Sequence, residues 1–304
     1  MKFITFQKKD GSLAAGWIKE DSFAIDMHEA SGGLLPKTML ELIEKNRDYM
    51  EMIKMLKNPE KGVYSLSEVD LKAPLPNPKS FRDFYAFEEH VKTARENRGL
   101  DMIPEWYEIP VFYYSNHQNM MGPNDDIPRP KKCEWLDYEL EICAVIGKEG
   151  KNITAEEDDD YIFGYCILND WSARDIQRQE MRVGLGPAKG KDFATSIGPY
   201  IVTVDELQKY RVKNRYQLQM TAKVNGRLLS RGNAKDIYYS FGEMIERASE
   251  EVVLYPGDMI GSGTVGTGCI LELGQDVHGW LQPEDEVELE ITGLGSLKNK
   301  ISKE

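Results

Sequence analysis

Between residues 136 and 147 the chain reads LDYELEICAVIG. Three carboxylates, Asp137, Glu139 and Glu141, alternate with Tyr138, Leu140 and Ile142, and the pattern runs straight into an apolar stretch. A period of two is that of a β-strand, whose successive side chains point to opposite faces. The apolar continuation is that of a strand buried on both faces. Carboxylates lined up on one face of such a strand are costly to bury unless a cation compensates them. A hard divalent ion with oxygen ligands, Mg²⁺, Mn²⁺ or Ca²⁺, is the natural compensator. The alternative is an exposed acidic edge strand.

The surrounding chain has the same character. Strands are expected at 111–115, 162–170, 196–204, 259–264, 269–274 and 286–293, with a hairpin over 216–230 turning at Asn225-Gly226. Short helices fit 84–98, 154–160, 171–181 and 238–249, and Thr154 with Glu157 has capping-box form. Ahead of this region lie three short strands and turns over 1–32. A helical stripe follows over 37–57 and lapses at Asn46-Arg47, where two short helices would meet. Prolines 74, 76 and 78 then break regular structure. The reading is an α+β chain: a small N-terminal α+β domain (1–72) and a β-rich catalytic domain (73–304).

Lys and Arg number 38 against 51 Asp and Glu, a formal net charge of −13. That balance argues against a nucleic-acid footprint and against an anionic membrane surface. Cys133, Cys143, Cys166 and Cys269 form no CxxC pair, and the N-terminus lacks the apolar region of a secretory signal, so a reduced cytoplasm is expected. The run GSGTVG (261–266) matches a dinucleotide-binding pattern, but a strand is expected after it where that pattern needs a helix. The run GLGPAKGK (184–191) lacks the spacing and the Ser/Thr of a phosphate loop. Both are read as backbone that can approach a ligand closely.

A second acidic stretch, NDWSARDIQ, places Asp170 at the end of an apolar strand and Arg174 and Gln177 on one face of the following helix. An Arg and a Gln beside an acidic site suit an anionic, oxygen-rich substrate. A helix-capping role for Asp170 is the alternative. Of the four histidines, His90 lies close in sequence to Asp83 and Tyr85, which makes it the candidate base. His28, His117 and His278 read as structural or surface residues.

Taken together, FRDFYAFEEH, DYELEI, NDWSARDIQ, GKDFATSIGP and the closing GLG-x-L-x-N resemble the fumarylacetoacetate hydrolase family, in the family's order and from Phe81 to the C-terminus. The resemblance implies a β-rich roll-like core, a homodimer, and a divalent metal, Mg²⁺ or else Mn²⁺ or Ca²⁺, held by Asp83, Glu139, Glu141 and Asp170. It implies His90 as the water-activating base, oriented by Glu272. Lys191, Gln177 and Arg174 would stabilise an oxyanion, and Tyr85, Tyr113, Thr264 and Arg98 or Arg95 would contact substrate. Thr93 stands where the small acylpyruvase and oxaloacetate decarboxylase branch carries a glutamate. The implied activity is hydrolytic carbon–carbon cleavage of a β-diketo acid, with oxaloacetate-type decarboxylation as the competing reading.

Overall fold

The computed structural model describes residues 1–303. A twelve-stranded sheet organises it. Its main path runs Val63–Ser65, Phe23–Asp26, Leu13–Lys19, Lys2–Gln7, Thr195–Thr203, Ile162–Asp170, Leu140–Ile146, Asp258–Gly261, Ser80–Phe84 and Phe112–Tyr114. The pairing of Lys2–Gln7 with Thr195–Thr203 makes the N-terminal strands continuous with this sheet. A second sheet of five strands is built from Arg227–Asn233, Gln219–Val224, Glu286–Ile291, Gly295–Ile301 and Asp126–Ile127. The expected hairpin is present: Asn225 and Gly226 both take positive φ, 50° and 78°, as a type I′ turn requires.

The two sheets pack face to face. Ile142, Ala144, Tyr165 and Ile167 of the main sheet share one apolar core with Met220, Ala222, Leu289 and Leu297 of the smaller one. On the other face, Cys143, Val145, Cys166, Leu168 and Ile197 pack with Leu42, Ile43 and Ile53. These last residues come from helices Met39–Glu44 and Asn46–Met55, which part where the apolar stripe lapses. The central strands are therefore buried on both faces, which explains their unbroken apolar runs. Among the described residues no helix is long and apolar enough to cross a membrane.

Two local expectations are corrected. Residues 136–147 are not one strand. Leu136–Asp137 pairs with Ser172–Ala173 in a separate two-stranded ladder, and Leu140–Ile146 pairs with Ile162–Asp170 in the main sheet. The interruption at Tyr138-Glu139 means that the three carboxylates do not point to one place. Residues 269–274, expected as a strand, instead form the short helix Ile270–Leu273. Its first two amides are taken by a buried carboxylate, Asp137, which satisfies donors that a strand would have given to a neighbour.

Ile167 is fully buried where the two sheets meet. Ile167→Ala should lower unfolding free energy by about 2–5 kcal/mol in urea titration, with little change in the slope of the transition.

Candidate active site

The main sheet brings together side chains that are far apart in sequence. Asp170 ends one strand, Glu141 lies near the start of its neighbour, and Asp83 sits two strands further along. The strand between, Asp258–Gly261, places Gly261 opposite Asp83. A Cβ at Gly261 would lie 2.4 Å from Asp83 Oδ1, so only glycine lets this carboxylate lean across the sheet. That is the role of the GSGTVG run, and the Gly263 amide also donates to Asp83 Oδ1 at 3.3 Å.

Carboxylate oxygens of Asp83, Glu141 and Asp170 lie within 4.8 Å of one another, and all three residues are buried. The exposed-edge alternative is thereby excluded for Glu141. Thr264 Oγ1 donates to Glu141 Oε1 at 3.3 Å, and Tyr113 OH donates to Asp170. Glu141 Oε2 and Asp170 Oδ1 are buried without a hydrogen-bond partner. Unpartnered, clustered, all-oxygen donors are what a hard cation requires, so the residues fit a divalent ion.

Glu139 lies beside this cluster and is held by two cations. Lys191 Nζ donates to Glu139 and, at 2.6 Å, to Asp170 Oδ2. Arg174 Nη2 is 2.8 Å from Glu139 Oε1. Arg174 also donates from Nε to Asp137 Oδ2 at 2.9 Å and from Nη1 to Gln177 Oε1 at 3.1 Å. The helix Arg174–Met181 therefore carries Arg174 and Gln177 to the site as a unit. Lys191 enters on a loop whose approach is fixed by Glu180: its carboxylate accepts the amides of Ala188, Lys189 and Gly190 at 2.8, 2.7 and 3.2 Å.

The remaining arm carries the histidine. His90, on helix Glu88–Glu96, is buried and its Nδ1 meets Glu272 Oε1. Glu272 Oε2 accepts the Thr267 amide at 2.7 Å. The Tyr85 ring meets the imidazole edge-on at 5.3 Å. With Nδ1 committed to Glu272, Nε2 is the nitrogen left to move a proton. Arg98 is exposed and its Nε donates to Ala94 O at 2.8 Å, while Arg95 ties to the Asp101 carbonyl. His28 is turned to the Leu35 carbonyl at 2.8 Å, and His278 to that of Gly279 at 2.6 Å.

Asp137 was legible only as one of three alternating carboxylates. The structure gives it a particular place: Oδ1 accepts the Ile270 amide at 2.8 Å, Oδ2 the Leu271 amide at 3.1 Å, and Oδ2 also binds Arg174. One buried carboxylate thus joins the helix that carries Glu272 to the guanidinium beside Glu139. No spacing in the sequence signals this, because the partners lie 37 and 133 residues away.

Electrostatics follow from the count of charges. Asp83, Asp137, Glu139, Glu141 and Asp170 are buried with two cations among them, Arg174 and Lys191. Burial, and then repulsion from neighbouring carboxylates, pushes Asp83 and Glu141 well above their ordinary range. Burial also works against the Glu139 carboxylate, but Lys191 and Arg174 outweigh it and hold its pKa at about 2. Burial raises the Tyr85 phenol to about 12, against the pull of Arg98.

The signs give a pH prediction. Asp83 and Glu141, raised in the folded chain, contribute stability at low pH that is lost as pH rises through their elevated values. Glu139, depressed, contributes stability above the ordinary carboxylate range that is lost as pH falls toward 2. Chelator-treated protein should therefore lose Tm as pH is raised from about 5 to 8, and Mg²⁺ or Mn²⁺ should restore it, most strongly at the upper end. Separately, Asp137→Ala leaves Arg174 without one buried partner and should cost about 3–5 kcal/mol in chemical denaturation.

Comparison with known proteins places these residues in context. Residues 79–302 match the family model described as fumarylacetoacetate (FAA) hydrolase C-terminal. Oxaloacetate tautomerase YisK of Bacillus subtilis (strain 168) is 30% identical over 317 residues, spanning 99% of this chain and 100% of that protein. Fumarylacetoacetate hydrolase from Exiguobacterium antarcticum shares the fold with a TM-score of 0.77 at 24% identity, over 100% of both chains. Maleylpyruvate hydrolase from Sphingobium sp. SYK-6, solved with manganese(II) and pyruvate, does so with a TM-score of 0.74 at 22% identity, over 99% of each chain.

Proposed function

The chain belongs to the fumarylacetoacetate hydrolase family, and within it we propose that this protein is a divalent-metal hydrolase cleaving a carbon–carbon bond of a β-diketo acid. The observation that carries the reading is the buried His90–Glu272 pair on one arm of a site whose other arm presents Lys191, Arg174 and Gln177. Bound by Asp83, Glu141 and Asp170, with Glu139 alongside, a divalent ion of the magnesium or manganese class would supply Lewis acidity to vicinal substrate oxygens.

The chain's own residues do the rest. His90, with Nδ1 held by Glu272, takes a proton from water at Nε2; a positioned base of this kind contributes about 10²–10⁴-fold. The hydroxide adds to the substrate carbonyl. Lys191, Arg174 and Gln177 direct donors at the developing oxyanion, each good donor worth roughly 3–4 kcal/mol. Collapse breaks the carbon–carbon bond, and the departing carbanion takes up the proton that His90 accepted, leaving as the enol acid and restoring the base. Tyr85, Tyr113 and Thr264, which meet His90, Asp170 and Glu141, would contact substrate, and Arg98 or Arg95 would offer a cation to a substrate carboxylate. A homodimer belongs to the same reading: the loop after the Arg174–Met181 helix exposes Val183 at 82% and Leu185 at 94%, apolar surface that a second copy would cover.

A second reading is favoured by one observation. A full-length relative at 30% identity, that of Bacillus subtilis, is named as an oxaloacetate tautomerase. A base that takes a proton from water can also take one from the carbon between two carbonyls, which would give keto–enol exchange of oxaloacetate; loss of CO₂ from its β-carboxylate would instead leave the enolate of pyruvate, and neither step needs an attacking water.

The test is a metal add-back. Chelated protein is reloaded with Mg²⁺ or Mn²⁺, and loss of enol absorbance is followed for acylpyruvates and fumarylacetoacetate, with oxaloacetate enolisation and decarboxylation in parallel. Metal-dependent cleavage of a diketo acid is the expected result; turnover of oxaloacetate alone favours the second reading. His90→Ala should lower kcat by at least about 100-fold while metal affinity is retained. Glu141→Ala should abolish metal binding, read by calorimetry.

A further inference from the structure

Among the described residues two clusters of side chains could hold a metal ion, and their chemistry differs. Asp83, Glu141 and Asp170 offer oxygen only. His90, Cys269 and Glu272 offer nitrogen, sulfur and oxygen, with their donor atoms within 4.8 Å of one another and all three residues buried. Cys269 precedes helix Ile270–Leu273 and stands three residues before Glu272, which brings Sγ to 3.5 Å from Glu272 Oε1. The hydrolytic scheme gives this thiol no task.

We propose that His90, Cys269 and Glu272 form a second metal site, selective for one thiophilic divalent ion of the zinc class, whose occupancy blocks the base. Zinc bonds of about 2.0–2.3 Å to nitrogen, oxygen and sulfur put tetrahedral donors roughly 3.3–3.6 Å apart. The donor atoms already lie within 4.8 Å of one another, so binding would ask only for small side-chain movements. Glu272 Oε2 is already anchored by the Thr267 amide at 2.7 Å, the outer support that holds a metal-ligating carboxylate in place. Three protein ligands leave the fourth position to water.

Softness separates the two sites. A thiolate–imidazole pair favours Zn²⁺ or Cd²⁺, whereas an all-carboxylate cluster suits Mg²⁺ and Mn²⁺, so both sites can be filled at once. On binding, the Cys269 S–H bond breaks, its proton passes to solvent and the sulfur–metal bond forms, with no change of oxidation state. The ion takes His90 Nδ1 and Glu272 Oε1, the two atoms that now face each other. The hydrogen that Nδ1 gives up is carried instead on Nε2, which then has no lone pair to accept a proton from water, and turnover stops. The inhibitory half of the proposal rests on His90 as the base; the binding half does not.

The experiment uses the full chain saturated with Mg²⁺, titrated with Cd²⁺ as a spectroscopic probe and then with Zn²⁺ as competitor. One Cd²⁺ per chain with a thiolate-to-cadmium absorption band is expected. Cys269→Ser should remove the band and weaken binding beyond the roughly 10–100-fold that losing an outer partner costs. Zn²⁺ should inhibit the unaltered protein at every Mg²⁺ concentration, and Cys269→Ser should need at least about 100-fold more Zn²⁺ for the same fractional loss of its own rate. A band that survives Cys269→Ser, arising from Cys133, Cys143 or Cys166, overturns the site. So does Zn²⁺ that excess Mg²⁺ displaces. If Cys269→Ser does not fold, Glu272→Gln takes its place: the band is kept but affinity falls, and unchanged affinity overturns the proposal. If no tested acid is turned over, the cadmium titration still decides the binding half.

Discussion

Two buried cations, Arg174 and Lys191, stand among five buried carboxylates at one end of the main sheet. Each cation serves more than one partner, so neither can be moved without exposing a charge in a region that solvates it poorly. Lys191 bridges Glu139 and Asp170; Arg174 bridges Asp137 and Glu139. The pairing leaves Asp83 and Glu141 without a cation, and burial then pushes their protons on. The need for a further positive charge is thus a property of the folded chain. The hard-metal reading rests on this imbalance as much as on any ligand spacing.

The scaffold tolerates the imbalance because its apolar packing is extensive on both sides of the sheet. One face is closed by the five-stranded sheet, the other by the helices of residues 39–55. The carboxylates collect at strand ends, where the ladder finishes and a side chain can turn inward without displacing core residues. Gly261 is part of the same arrangement, since a larger residue there would collide with Asp83. Asp137 extends the network by tying the Glu272 helix to Arg174, so the proton-transfer arm and the cationic arm share one buried anchor.

Much of this was legible in the residues. Unbroken apolar runs marked the central strands, the lapse at Asn46-Arg47 marked two helices, and Asn225-Gly226 marked the hairpin. The carboxylates and His90 stood out as chemistry-bearing groups in the residues themselves, and Lys191 followed from the family resemblance. Two misreadings share one cause. The segment ILEL has a pattern that fits strand or helix, and an anion from residue 137 settles it as a helix by taking its first amides. The run LDYELEI keeps a strand's alternation even though its ladder changes partner at Tyr138-Glu139.

Fold class, the layered apolar runs and the family can be read from residue order alone, because periodicity, turn chemistry and ordered motifs are local properties. The tertiary structure decided which carboxylate does what. Asp137 and Glu139 look equivalent to Glu141 along the chain, yet Asp137 anchors Arg174, Glu139 is neutralised by two cations, and Glu141 joins Asp83 and Asp170 with an unpartnered oxygen. That division depends on which strand lies beside which and where a ladder breaks. Charge–charge energies fall with distance in space and are indifferent to distance along the chain.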